Sequence, residues 1–367
     1  MRMHFPLIDL VRFIAAAMVV LYHISCNLAG LLPADGLVSA AAFRSWLWGQ
    51  SYVVIFFVDS GFCIHWPYAL GKNLLLGEYY ARRLIRVLIP LVVCIALGMA
   101  LNLWYWAVPR HNSPPLFWSI FAELIYYTIY PALLSTVRSK GVGTLLAGSW
   151  MVAAGLIWLS PGRDEMLHQF GNSKTWIIGL PCWLTGVWLA QTLSRPAPAG
   201  SADFVWIWRL AVLAAAVLPH KADVNLAIYY GWSPGPLPFA MLVAPVCAFW
   251  LRAEMRMQGG TWTEKPSAIG SAGKAAYSIY LVHMPALQIA AWTGAKGSGF
   301  IVVAAIATAA VSMLFYYLVE RSSCRFAAKI AAMSGRGDHL GPSARTSARP
   351  GYYKSFELTA HGPPATS

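Results

Sequence analysis

The chain has 367 residues, of which 58% are hydrophobic, 14% aromatic and only 11% charged, with a mean hydropathy of +0.56. A soluble domain carries about 25% charged residues, so too few are present to cover a 40.2 kDa body in water. A cytosolic enzyme and any disordered or fibrous class are thereby excluded, and a polytopic membrane protein is predicted. The net charge of +13 fits cytoplasmic loops rich in Lys and Arg, and nucleic acid is not expected as a partner. The 6 cysteines stand singly, without a Cys-x-x-Cys pair or metal-ligand spacing. They read as small apolar packing residues, and no metal is expected.

A hydrocarbon core of about 30 Å needs roughly 20 apolar residues of helix. That ruler predicts an all-α membrane bundle of about ten transmembrane helices, near 7–29, 47–70, 87–108, 115–136, 142–160, 174–193, 204–219, 237–252, 275–292 and 299–320. The first lacks the small-residue cleavage site of a signal peptide and counts as a span. The seventh and eighth are short and broken by Pro219, Pro234, Pro236, Pro238 and Pro245. With the N-terminus placed inside, 20 of the 27 Lys and Arg fall on the cytoplasmic side and 6 outside, which supports an N-in, C-in topology. Residues 1–330 form the predicted membrane domain. Residues 331–367 are rich in Gly, Ser, Pro, Thr and Arg, and are predicted to be a disordered cytoplasmic tail.

Ionisable residues inside spans are costly and are therefore functional candidates. In the first span Asp9 and Arg12 are spaced i,i+3, and the 11 positions from Arg12 to His23 turn the helix to within about 20° of three full turns. One face thus carries a carboxylate and a guanidinium near the cytoplasmic end and an imidazole about 16 Å deeper. The plain alternative is an interfacial ion pair with a core histidine. Asp59 sits mid-span beside Ser60 and Gly61 and needs a cation, either Arg12 or an arginine of the next loop; a structural pair and a substrate contact are both open. His65 reads as interfacial.

The segment GKNLLLGEYYARRLIRVLIP reads as a short basic amphipathic loop. Arg82, Arg83 and Arg86 either follow the topology rule and bind anionic lipid heads or form a phosphate cluster, for which guanidinium forks are suited. Glu123 in the fourth span requires a partner or a wet cavity. Trp118, Tyr126, Tyr127 and Tyr130 beside it either line a sugar-sized pocket or form an aromatic girdle. In the ninth span Tyr277 and Ser278 precede Tyr280 and His283, which share a face at i,i+3.

Taken in order, these segments resemble the acyltransferase 3 family of integral-membrane acyltransferases. The carrying motifs are IDLVRFIAAAMVVLYH, FFVDSGF, RRLIRVLIP, WSIFAELIYYTIYP, YSIYLVH and YYLVERSSCRF. The expected spans five to eight carry no recognisable motif. Three positions depart from the family pattern: Asp59 replaces an apolar residue, Pro90 comes one residue late after Arg86, and Ser322 stands where a proline often follows the last Glu.

The resemblance implies transfer of an acyl group, usually acetyl, from acyl-CoA to a hydroxyl of a cell-surface carbohydrate such as an exopolysaccharide, O-antigen or lipo-oligosaccharide. It implies residence in a bacterial inner membrane, a carbohydrate acceptor that can be lipid-linked, and polysaccharide assembly proteins as neighbours. On this reading His23, Glu123 and Asp9 are catalytic, with His23 either a general base or a transient acyl carrier. Arg12, Arg82, Arg83 and Arg86 hold the phosphates of acetyl-CoA. Asp59, Ser60, Trp118, Tyr127, Tyr280 and His283 contact substrate. Two rivals belong to other classes: a membrane carrier for a lipid-linked sugar or small molecule, and a non-catalytic scaffold of a polysaccharide complex.

Overall fold

The computed structural model describes residues 5–28, 48–101, 117–160, 167–195, 202–231, 235–257 and 273–337. Within them every regular element is helical, with no strand. In chain order these are α1 (Pro6–Leu28), α2 (Gly49–Ala69), α3 (Leu76–Ala100), α4 (Trp118–Lys140), α5 (Val142–Trp158), α6 (Gly171–Leu193), α7 (Ala202–Val217) and α8 (Pro219–Tyr230). They are followed by α9 (Pro236–Met257), α10 (Ala276–Trp292), α11 (Gly297–Phe315) and α12 (Arg321–Gly337).

Each of the ten predicted spans falls largely on helix over its described residues. Six helical stretches are long and apolar enough to cross a membrane by length and composition: α1, α3, α4, α6, α9 and the continuous run Gly297–Ser334. The bent pair α7–α8, whose axes differ by 73°, makes a seventh if counted as one; Pro219 opens its second arm, where a proline is tolerated because its missing N–H has no intrahelical partner. The outward faces are apolar, with Met99, Met151, Trp158, Phe204, Leu213 and Met313 all more than 60% exposed. An apolar coat of that kind is stable against lipid and aggregates in water. The chain is an integral membrane protein.

Helix α2 is the axis of the bundle. Gly49–Ser60 is buried except for Phe56, and it is apolar all round, as a helix surrounded by protein must be. Its closest neighbour is α6, and two glycines set the distance between them. A Cβ on Gly61 would strike the Trp183 carbonyl oxygen, and one on Gly186 would strike the Val58 carbonyl and lie 2.7 Å from the Phe62 nitrogen. Small residues allow such backbone approach where lipid supplies no hydrophobic drive between helices. Helix α1 packs against both α2 and α10, burying Ile8, Val11, Ala15 and Val19 along one face.

Three local expectations need correction. The basic segment at 76–86 is helix rather than loop: α3 begins at Leu76 and passes through a π-helical turn, Ala81–Ile85. The turn is held from outside by Ser323 of α12, whose hydroxyl donates to the Ile85 and Arg86 carbonyls. His65 is buried rather than interfacial, bonded at 2.9 Å to both Tyr130 and Gln191. Helix α12 carries order to Gly337, seven residues into the predicted tail, because its apolar stripe of Ala327 and Ala331 is buried. Residues 338–367 lie outside the described residues.

If the α2–α6 approach sets the bundle, Gly186→Ala and Gly61→Ala each lower the stability of purified protein in detergent by about 1–3 kcal/mol. Gly148→Ala, in a helix interior where a Cβ meets nothing within 4 Å, does not lower it. Thermal unfolding followed by tryptophan fluorescence reads the difference.

Candidate active site

A cavity of about 790 Å³ opens between α1, α2, α3, α4, α10 and α12, within the size range of small-molecule sites. Six cations line it: Arg12, Arg83, Arg86, Lys274, Arg321 and Arg325. Three carboxylates, Asp9, Glu123 and Glu320, share its wall with the hydroxyls of Ser60, Ser119, Tyr127, Tyr277, Tyr280 and Tyr316. The excess of positive charge in a low-dielectric surround attracts an anion, and guanidinium forks select phosphate or carboxylate geometry.

Each charged group is fixed by a neighbouring helix. Arg12 on α1 forms an ion pair through Nε with Asp59 of α2, which is 1% exposed. Asp59 therefore faces Arg12 and is not among the residues lining the cavity. Close by, Gly273 packs where a Cβ would collide with the backbone and side chain of Asp9, so only glycine allows that approach. Arg83 donates to the Cys63 carbonyl at 3.2 Å. Arg82 turns away: its Nε donates to Glu78 Oε1 at 3.0 Å, on the exposed side of α3, and it does not line the cavity.

The carboxylates are likewise held. Tyr127 donates its hydroxyl to Glu123 Oε1 and lies 3.1 Å from Ser60 Oγ. Trp183 of α6 donates to that same Ser60 oxygen at 3.3 Å, so a polar chain runs from the α2–α6 contact to the cavity wall. Glu320 accepts from both the backbone nitrogen and the hydroxyl of Ser278, at 3.1 and 2.5 Å. On the α10 wall Tyr280 and Ser119 join hydroxyls at 2.5 Å, and Tyr277 donates to the Val87 carbonyl at 2.9 Å.

Eight sequence-predicted residues thus meet in one cavity: Asp9, Arg12, Ser60, Arg83, Arg86, Glu123, Tyr127 and Tyr280. His23 and His283 do not line it. They form a pair behind Tyr280, with ring centroids 5.0 Å apart, and the Tyr280 ring is 5.8 Å from that of His283. Trp118 also stands outside, edge-on to Phe57 at 6.3 Å.

Sequence reasoning missed Lys274, Glu320, Arg321 and Arg325 as cavity residues. The available signal is the i,i+4 spacing of Arg321 and Arg325 with Cys324 and Ala328 on the same face. Cys63 and Cys324 also line the cavity, whereas Cys94, Cys182 and Cys247 are buried in the core.

No curated protein and no solved structure matches the chain. A family model described as an acyltransferase domain matches residues 5–317, which takes in α1, the α3 arginines, Glu123 and both histidines. On that match the chain belongs to the acyltransferase 3 family and is a membrane acyltransferase.

Proposed function

We propose that the protein transfers an acetyl group from cytoplasmic acetyl-CoA to a hydroxyl of a cell-surface carbohydrate in a bacterial inner membrane. The carrying observation is the convergence of Arg12, Arg83, Arg86, Lys274, Arg321 and Arg325 on one cavity whose far wall, at Tyr280, is backed by two imidazoles. The donor set fits a phosphate-rich nucleotide: five of these cations come from α3, α12 and the start of α10, regions the charge distribution places on the cytoplasmic side. An N-in, C-in arrangement follows from the same reading.

Arg83, Arg86 and the α12 arginines hold the phosphates at the mouth. Arg12, neutralised on one side by Asp59, orients the donor as it enters along α1. The acyl end then travels toward Tyr280, and the axial distance of about 16 Å between Arg12 and His23 suits an extended pantetheine arm. At the inner end the acceptor oxygen attacks the thioester carbonyl carbon. A carbon–oxygen bond forms and the carbon–sulfur bond breaks. His23 takes the hydroxyl proton as general base and returns it to the departing thiolate. Glu123, held by Tyr127, orients the sugar.

With protein in nanodiscs and radiolabelled acetyl-CoA, Arg83→Gln and Arg325→Gln raise donor KM, whereas Arg82→Gln does not. A lost charge-assisted hydrogen bond of about 1.5–3 kcal/mol predicts a rise of about 10- to 100-fold. Equal effects at Arg82 and Arg83 would remove the cavity as the donor site.

The acceptor is tested in cells by mass spectrometry of surface glycans with and without the gene. The expected result is an acetyl mass increment that disappears on deletion, returns with wild type and stays absent with His23→Ala. A drop in total glycan export with no change in acylation would favour the carrier reading, and full complementation by His23→Ala would overturn His23 as the base.

A further inference from the structure

The tautomer of His283 is fixed by its surroundings. Its Nδ1 lies 2.7 Å from the Tyr280 carbonyl oxygen. A carbonyl only accepts, so Nδ1 carries the proton and, in the neutral ring, the lone pair belongs to Nε2. That Nε2 is buried and has no hydrogen-bond partner among the described residues, in a side chain 1% exposed. A buried acceptor without a donor is costly to maintain and is a feature to be explained. Anchoring the Tyr280 carbonyl does not explain it, because that task needs only a donor at the Nδ1 position, which asparagine supplies.

The neighbouring imidazole is that of His23. The two ring centroids are 5.0 Å apart with planes at 39°. Two imidazoles joined by one N–H···N bond of about 2.9 Å have a centroid separation of this size, so rotation within the rings, without helix movement, brings a His23 N–H onto His283 Nε2. Helix α1 already packs on α10, and Tyr280, which anchors His283 through its carbonyl, is itself tied to Ser119 on the cavity wall.

We propose that His283 is the positioning residue of His23: its Nε2 accepts the N–H of His23 during transfer, fixing which His23 nitrogen faces the acceptor hydroxyl. This rests on His23 being the base. When His23 takes the hydroxyl proton on one nitrogen, its other N–H remains donated to His283 Nε2, and the positive charge that develops is stabilised by that lone pair. The proton then passes to the departing thiolate and His23 returns to neutral. His283 neither gains nor loses a proton in the cycle. Its place is that of the carboxylate in a hydrolase triad, supplied here by a neutral imidazole with an oriented tautomer.

The test compares wild type, His283→Asn and His23→Ala in nanodiscs. Asparagine keeps the donor to the Tyr280 carbonyl and removes the Nε2 acceptor. The expected outcome is a fall in kcat of about 100-fold or more with donor KM and unfolding midpoint unchanged, a split that lost packing would not give. Wild-type kcat in His283→Asn, or a loss that follows a lowered midpoint, overturns the proposal. Nitrogen-15 spectra of histidine-labelled protein give a readout independent of turnover. His283 is expected as the Nδ1–H tautomer, and His283→Asn shifts the His23 resonances. A proton on Nε2 of His283 in wild type, or His23 resonances untouched by the substitution, overturns it even where transfer is not detected. Absence of transfer in wild type with the spectral coupling intact sinks the acetyl-CoA reading and leaves the pairing standing.

Discussion

The burial of Arg12 against Asp59 is the constraint on which the rest of the arrangement depends. A guanidinium inside a membrane bundle is expensive, and a carboxylate that is 1% exposed is no cheaper unless each charge finds the other. Removing the cation of such a pair typically costs about 3–5 kcal/mol, because here Asp59 would remain buried and unpaired. The pair therefore locks α1 to α2 in rotation and height. Since Asp9, Arg12 and His23 lie on one stripe of α1, fixing Arg12 also fixes where the carboxylate and the imidazole point. The α1–α2 register thus carries an electrostatic lock in addition to packing.

From that register the remaining polar groups fall into a chain of mutual support. The close approach of α2 and α6 through Gly61 and Gly186 brings Trp183 to Ser60, Ser60 to Tyr127 and Tyr127 to Glu123. In a low dielectric such linked hydrogen bonds reinforce one another and lose heavily if one member is missing. The network keeps a carboxylate at the cavity wall in a set orientation, which is how preorganised electrostatics contribute to catalysis. On the opposite wall Ser278 holds Glu320 with two donors, tying α10 to the turn between α11 and α12.

The helices and five of the nine charged residues of the cavity wall could be read from the sequence because they follow from periodicity and from the cost of buried charge. Asp9, Arg12 and Glu123 are conspicuous in apolar runs, and a helical wheel puts the α1 residues on one stripe. What escaped depends on register and tertiary approach. Arg82 and Arg83 are adjacent in sequence and equally basic, yet the π turn at Ala81–Ile85 and the Glu78 side chain direct Arg82 outward while Arg83 lines the cavity. Arg321 and Arg325 reach the cavity only because α12 folds back along α3, a long-range contact that spacing does not encode. The tautomer of His283 depends on one carbonyl a single turn away, and no residue type announces it.

The two ends of the site place opposite demands on solvent, and the fold separates them along α1. On the proposed reaction a cationic mouth needs water and an open path for a charged donor to exchange; Arg12 is 25% exposed there. A thioester poised for transfer needs the reverse, since water is a competing nucleophile and weakens every charge interaction around the reacting carbon. The Tyr280–Ser119 hydroxyl pair at 2.5 Å, with Phe56 edge-on to Tyr280 at 5.8 Å, stands between the two environments. Beyond it lies His283 at 1% exposure. In the proposed reaction this partition shields the thioester from hydrolysis, and it makes the Tyr280 ring the natural place to look for acyl-size selection.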